Sequence, residues 1–118
     1  MFSKVLSASV YGVHSQLVQV EADSTEGLPS FSMVGFLSTQ VKEAQERVRT
    51  ALKNSGYYLQ PKRITVNLSP ADLPKSGTGF DLPIAIAIAA SYGMISAEAL
   101  ENTIIIGELS LNGRINAV

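Results

Sequence analysis

The stretch between Ser38 and Gly56 constrains the fold more than any other part of the chain. Its apolar residues Val41, Ala44, Val48, Ala51 and Leu52 recur three and four positions apart, which gathers them on one helical face. Ser38 supplies an N-cap hydroxyl and Gly56 suits the position just past a helix end. Glu43 and Arg47 are spaced to pair on the opposite face. The pattern predicts a helix over Thr39–Asn54, and a one-sided helix must bury its apolar face against another layer. The flanking sequence offers strands for that layer. Leu6, Ala8 and Val10 alternate with Val5, Ser7 and Ser9, and Val18, Val20 and Ala22 alternate with Gln19, Glu21 and Asp23. A period of two in both segments, with Gly12 between them, predicts an antiparallel hairpin. Phe31–Gly35 predicts a third, short strand, and Arg63–Leu68 a fourth with Ile64, Val66 and Leu68 inward.

The second half carries more punctuation. Two prolines and two glycines mark residues 69–79 as a loop. From Asp81 to Tyr92 the isoleucines alternate as in a strand, yet Asp81 is a good N-cap, Pro83 is tolerated in a first turn, and four alanines favour helix. A buried helix ending at Gly93 is expected, followed by a short one over Ala97–Glu101 after Ser96. Thr103–Gly107 is a continuous apolar run that predicts a central strand. Asn112-Gly113 predicts a type I′ turn joining Glu108–Leu111 to Arg114–Val118. The expected fold class is α+β: a mixed sheet with two main helices packed on one face.

The 118 residues amount to one domain, and 46% hydrophobic with 16% charged residues suits a folded core. The absence of cysteine excludes disulfides, thiolate zinc sites and a cysteine nucleophile. A net charge of −1 lacks the basic excess of a dedicated nucleic-acid module. The longest apolar run, Leu82–Ala90, falls well short of the roughly 20 residues that span a membrane, and the N-terminus does not read as a signal peptide. A soluble cytoplasmic protein with no membrane partner is expected.

Three strings narrow the reading: Ile64-Thr65-Val66-Asn67-Leu68-Ser69-Pro70-Ala71-Asp72-Leu73-Pro74-Lys75, then Gly77-Thr78-Gly79-Phe80-Asp81-Leu82-Pro83-Ile84-Ala85, then Gly107-Glu108-Leu109-Ser110-Leu111-Asn112-Gly113-Arg114. Together with Ser7-Ala8-Ser9-Val10-Tyr11-Gly12 and Leu28-Pro29-Ser30-Phe31, they resemble the N-terminal domain of the YifB/ComM family of magnesium-chelatase-like AAA+ ATPases over the whole chain. The resemblance implies a sandwich like the Lon protease domain, with an ATPase module, using ATP and magnesium, beyond Val118. It further implies a homohexamer acting on DNA as a branch-migration motor, so the partners would be the rest of its own chain and DNA. The alternatives from other classes are a regulatory or assembly domain of a metal-chelatase ATPase subunit, or a pure protein-interaction module.

No catalytic, cofactor-binding or metal residue is assigned from the sequence. Lys75-Ser76-Gly77-Thr78-Gly79 lacks the GxxxxGK[ST] order of a phosphate loop, and Asp81 at the helix start would repel a phosphate. The resemblance to Lon places Gly79 at the nucleophile position and the partner lysine beyond this chain, leaving Ser76 and Thr78 misplaced. His14 stands alone without a second ligand, and Asp72, Asp81, Glu101 and Glu108 are scattered. What remains is a small basic set, Lys62, Arg63 and Lys75, that flanks one strand and its exit loop and is the candidate for nucleic-acid contact.

Overall fold

The computed structural model describes residues 1–11 and 14–118. β1 (Phe2–Tyr11) and β2 (His14–Thr25) pair antiparallel, with Val5 opposite Val20 and Lys4 opposite Glu21. The expected turn at Gly12 lies outside the described residues. β3 (Ser30–Val34), α1 (Thr39–Asn54), β4 (Arg63–Ser69), α2 (Asp81–Ser91), α3 (Ala97–Leu100), β5 (Glu108–Leu109) and β6 (Ile115–Asn116) follow. The main sheet runs β1-β2-β4-β3, with β3 parallel to β4 and the other pairs antiparallel. This is the mixed sheet of an α+β fold.

The period-two pattern decides which sheet face is covered. Val5 of β1, Val18, Val20 and Ala22 of β2, and Ile64, Val66 and Leu68 of β4 are buried in one cluster with the apolar faces of both long helices. Alanines 85, 87, 89 and 90 let α2 lie close over the sheet. Of the buried strand hydroxyls, that of Ser7 has no hydrogen-bond partner among the described residues, and two others are satisfied by the helix backbone. Ser3 donates to the Ala87 carbonyl, and Ser24 to that of Ser91. A buried polar group without a partner is costly, so these contacts fix how α2 sits on β1 and β2.

α1 has the expected bounds. Ser38 Oγ accepts from the Val41 N–H at 3.3 Å, and Gly56, at φ +85°, follows the C-cap Ser55. Four expectations are corrected. Asp81 is not an N-cap: Phe80 holds that position without a side-chain bond, and the Asp81 carboxylate is spent elsewhere. Arg47 ion-pairs with that carboxylate across the fold instead of with Glu43 on its own helix. Thr103–Gly107 is not a central strand. It touches the outer edge of β1 through one bridge, Leu6 with Ile104, and the Ile105 N–H donates to the Leu6 carbonyl at 2.9 Å. The chain then turns away, because the Gly107 N–H donates to Gly79 and its carbonyl accepts from Leu82. Ile104 is left 53% exposed. Lastly, the hairpin turn is not type I′. The Gly113 N–H donates to the Ser110 carbonyl at 2.9 Å, which centres the turn on Leu111 and Asn112, and of residues 111–113 Gly113 alone has positive φ, +92°. That is a three-residue loop with a glycine bulge. Ser110 N–H to Arg114 carbonyl closes it, and Asn112 caps the Arg114 N–H with its side chain.

Candidate functional site

The loop from Pro70 to Phe80 carries Asp72, Lys75, Ser76 and Thr78 of the polar residues singled out in the sequence, and its geometry is set by two buried charges. Lys75 is 1% exposed. Its ammonium donates to the Gly35 carbonyl at 2.6 Å and to the Pro70 carbonyl, while its backbone bonds to Phe36 and Ser38. Burial pushes its pKa below the ordinary lysine value, and Asp72 only partly opposes this. Lys75 thus pins the loop to the segment leading into α1. The expected grouping of Lys75 with Lys62 and Arg63 does not form, since its ammonium points inward and both carbonyl bonds occupy it.

Asp81 is the second buried charge. Arg47 grips its carboxylate in a bidentate pair at 2.7 and 2.9 Å, and Asp81 Oδ2 also accepts the Leu109 N–H at 3.1 Å. Arg47 donates further to the Gln40 carbonyl. The hydrogen bond with Asp81 raises the pKa of Arg47 against the opposing effect of burial. One carboxylate therefore joins α1, the start of α2 and β5. The sequence did carry a signal for this: a carboxylate beginning an almost wholly apolar helix needs a cation, and Arg47 lies on the neighbouring helix.

The chemistry this loop can perform is limited. Gly79, at the nucleophile position implied by the Lon resemblance, carries no side chain, and an added Cβ would lie 3.1 Å from Ile106 Cγ2, a tight contact that Ile106, 39% exposed, would relieve only by shifting. The Thr78 hydroxyl is the leading cause holding the Glu108 carboxyl below its usual pKa, with Asn116 assisting. A carboxylate of lowered pKa is a weaker base toward that hydroxyl. Nor do these residues fit a nucleotide: the Lys75 ammonium is enclosed, and the Gly77 N–H is spent on Gln40 Oε1 at 3.1 Å. His14 is exposed at the start of β2, and Glu101 lies at the C-cap of α3, on a different element from Asp81 and Glu108. Arg63 is exposed at the start of β4. Lys62 lies 5.1 Å above the Tyr92 ring and 4.0 Å from Glu26. The two cations stay at the surface.

A mixed sheet under two helices, with a loop locked before the second, places this chain in a defined class. Residues 20–118 match the family described as subunit ChlI of Mg-chelatase, and the chain belongs to that magnesium-chelatase-like family. Within it the chain matches the YifB/ComM proteins over nearly its whole length. It is 46% identical to the uncharacterized protein YifB of Escherichia coli over 116 residues, 98% of this chain and 23% of that protein. It is also 46% identical to the competence protein ComM of Haemophilus influenzae over 114 residues, 97% of this chain and 22% of that one. A Lon protease of Mycolicibacterium smegmatis is 27% identical over 114 residues, 91% of this chain and 14% of its own. The chain spans under a quarter of the length of the YifB and ComM relatives.

Proposed function

We propose that this chain is the non-catalytic N-terminal domain of a magnesium-chelatase-like AAA+ ATPase that processes DNA, as a branch-migration or helicase-type motor. The observation that carries the non-catalytic role is the locked loop before α2, where the nucleophile position holds Gly79, which has no side chain, and the Lys75 ammonium is engaged by two carbonyls. The DNA role draws support from the similarity to a relative named a competence protein. On this reading the fold is a Lon-protease-domain-like sandwich, and ATP and magnesium are used by a module outside residues 1–118. The working assembly is a cytoplasmic homohexamer.

The family's description favours a second reading, an assembly or regulatory domain of a metal-chelatase ATPase subunit. The groove of about 280 Å³ between α1, α2 and the β5–β6 hairpin is lined by residues such as Leu82, Ile86, Met94 and Ile115, with no carboxylate or imidazole among its lining to ligate a metal.

The test is ATP turnover by the full-length protein with and without DNA, beside conversion of a three-stranded DNA substrate. DNA-stimulated turnover and ATP-dependent strand conversion are expected. Turnover indifferent to DNA, with no strand conversion, overturns the motor reading in favour of the chelatase one.

A further inference from the structure

We propose that the surface formed by the last turns of α1 and the segment after it binds single-stranded nucleic acid, with Tyr57 and Tyr58 as stacking platforms and Arg49, Lys53 and Lys62 as phosphate contacts. The site rests on the reading of the full-length protein as a DNA motor and gives it a contact surface outside the ATPase module. Two adjoining clefts, of about 340 and 350 Å³, share Arg49 and Leu59. One has Phe31, Tyr92 and Lys62 in its walls, and the other Lys53, Tyr57 and Tyr58.

Charge is segregated here. Three of the chain's nine lysines and arginines line the two clefts, and no Asp or Glu does, although the whole chain carries a net −1. The carboxylates that reach these cations, Glu26 and Glu46, do so at 4.0 and 3.9 Å from solvent-exposed positions, so salt and an incoming phosphate displace them readily. Arg49 is held 5.6 Å over the Phe31 ring and Lys62 5.1 Å over that of Tyr92, which positions both cations without neutralising them. Arg49 and Lys53 are one helical turn apart, about 6 Å along the axis. Tyr57 and Tyr58 lie four and five residues beyond Lys53, 54% and 74% exposed. An acidic peptide would satisfy the cations and leave these rings unused. Unpaired bases use both, because only an unstacked base offers its face to a ring.

The experiment titrates a fluorescent 20-nucleotide oligo-dT with the full-length protein at several salt concentrations. Tyr57→Ala with Tyr58→Ala should weaken binding about tenfold or more, and both Tyr→Phe changes should restore it. Removing Arg49, Lys53 and Lys62 together should weaken binding and make the salt slope shallower by about 0.7 for each phosphate no longer neutralised. Lys4→Ala, one exposed cation removed from β1, is the control and should leave affinity unchanged. If the parent binds and both cleft variants bind equally well, or if Lys4→Ala matters as much as a cleft cation, the site is wrong and the motor reading survives. If the parent fails to bind single strands, the site is wrong, and the motor reading is decided separately by turnover and conversion of the three-stranded substrate. Loss of the oligomer on size-exclusion chromatography in the tyrosine variants would make this face a protein interface and overturn the proposal.

Discussion

Lys75 secures a corner of the fold where backbone carbonyls of the Pro70 loop and the Gly35 turn face one another. Hydrogen bonds from a charged donor contribute about 1.5–3 kcal/mol each, and burying the ammonium takes part of that back. Lys75→Met should therefore cost about 2 kcal/mol, seen as a lower urea midpoint with an unchanged slope. The cost should also depend on pH. With the folded pKa below the unfolded value of about 10.4, the unfolded chain binds more protons between the two, so the lysine's contribution rises with pH across that interval and levels off above it. A neutral amine still has two N–H groups for two carbonyls, so the bonds survive deprotonation. The gap between parent and Lys75→Met should widen as pH climbs toward about 10.4. A constant gap would mean that the lysine is not buried as a charge. The sequence could not expose this role. Lys75 sits among Pro, Ser and Gly in a stretch with every mark of a solvated loop, and nothing in local pattern tells a buried lysine from an exposed one.

Among the elements, those written in a clean period were legible: α1 with its Ser38 cap, the β1–β2 hairpin, and β4 with its inward Ile64, Val66 and Leu68. The misread ones depended on interactions between elements. An unbroken apolar run such as Thr103–Gly107 has no period to say whether it enters the sheet, and here its Gly107 backbone is claimed by the start of α2. The hairpin signal at Asn112-Gly113 was right about the reversal and wrong by one residue about its centre. Likewise the i,i+4 spacing of Glu43 and Arg47 could not reveal Asp81 on another helix. That cross-helix pair makes an asymmetric prediction. With Asp81→Asn the amide oxygen can still accept the Leu109 N–H, and Arg47, part-exposed, can turn to water, at a cost of about 1–2 kcal/mol. Arg47→Met leaves a carboxylate almost fully enclosed without its cation and should cost about 3 kcal/mol or more. Denaturant melts of the two variants rank them, and the reverse order would show that Asp81 is less enclosed than its position indicates.

Across the whole molecule the sheet order sets a gradient of stability. β2 and β4 are paired on both sides, α2 lies over the sheet, and Val18, Val20, Val66, Leu68, Ile84 and Ile88 are wholly buried between them. The β5–β6 hairpin is a separate two-stranded sheet whose pairing spans only two residues of each strand. Leu109 is buried and its N–H is tied to Asp81, but Leu111 and Ile115 lie largely in water. Isolated hairpins of this kind are marginal without a packed face. Opening the tip breaks little packing, whereas opening β4 dismantles the core. Hydrogen exchange in rising denaturant should therefore separate two classes. The amides of β2, β4 and α2 should exchange only through global unfolding, at the roughly 5–15 kcal/mol typical of a domain. The Ser110 and Gly113 amides, bonded only within the loop, should exchange through a local opening several kcal/mol lower and nearly independent of denaturant. The Leu109 amide, held by the buried carboxylate, should follow the core class despite lying two residues from the start of that loop. If Ser110 and Gly113 instead match β4 in both protection and denaturant slope, the hairpin unfolds with the core. The gradient would then be absent, and the Asp81 anchor would extend its hold to the whole terminal sheet.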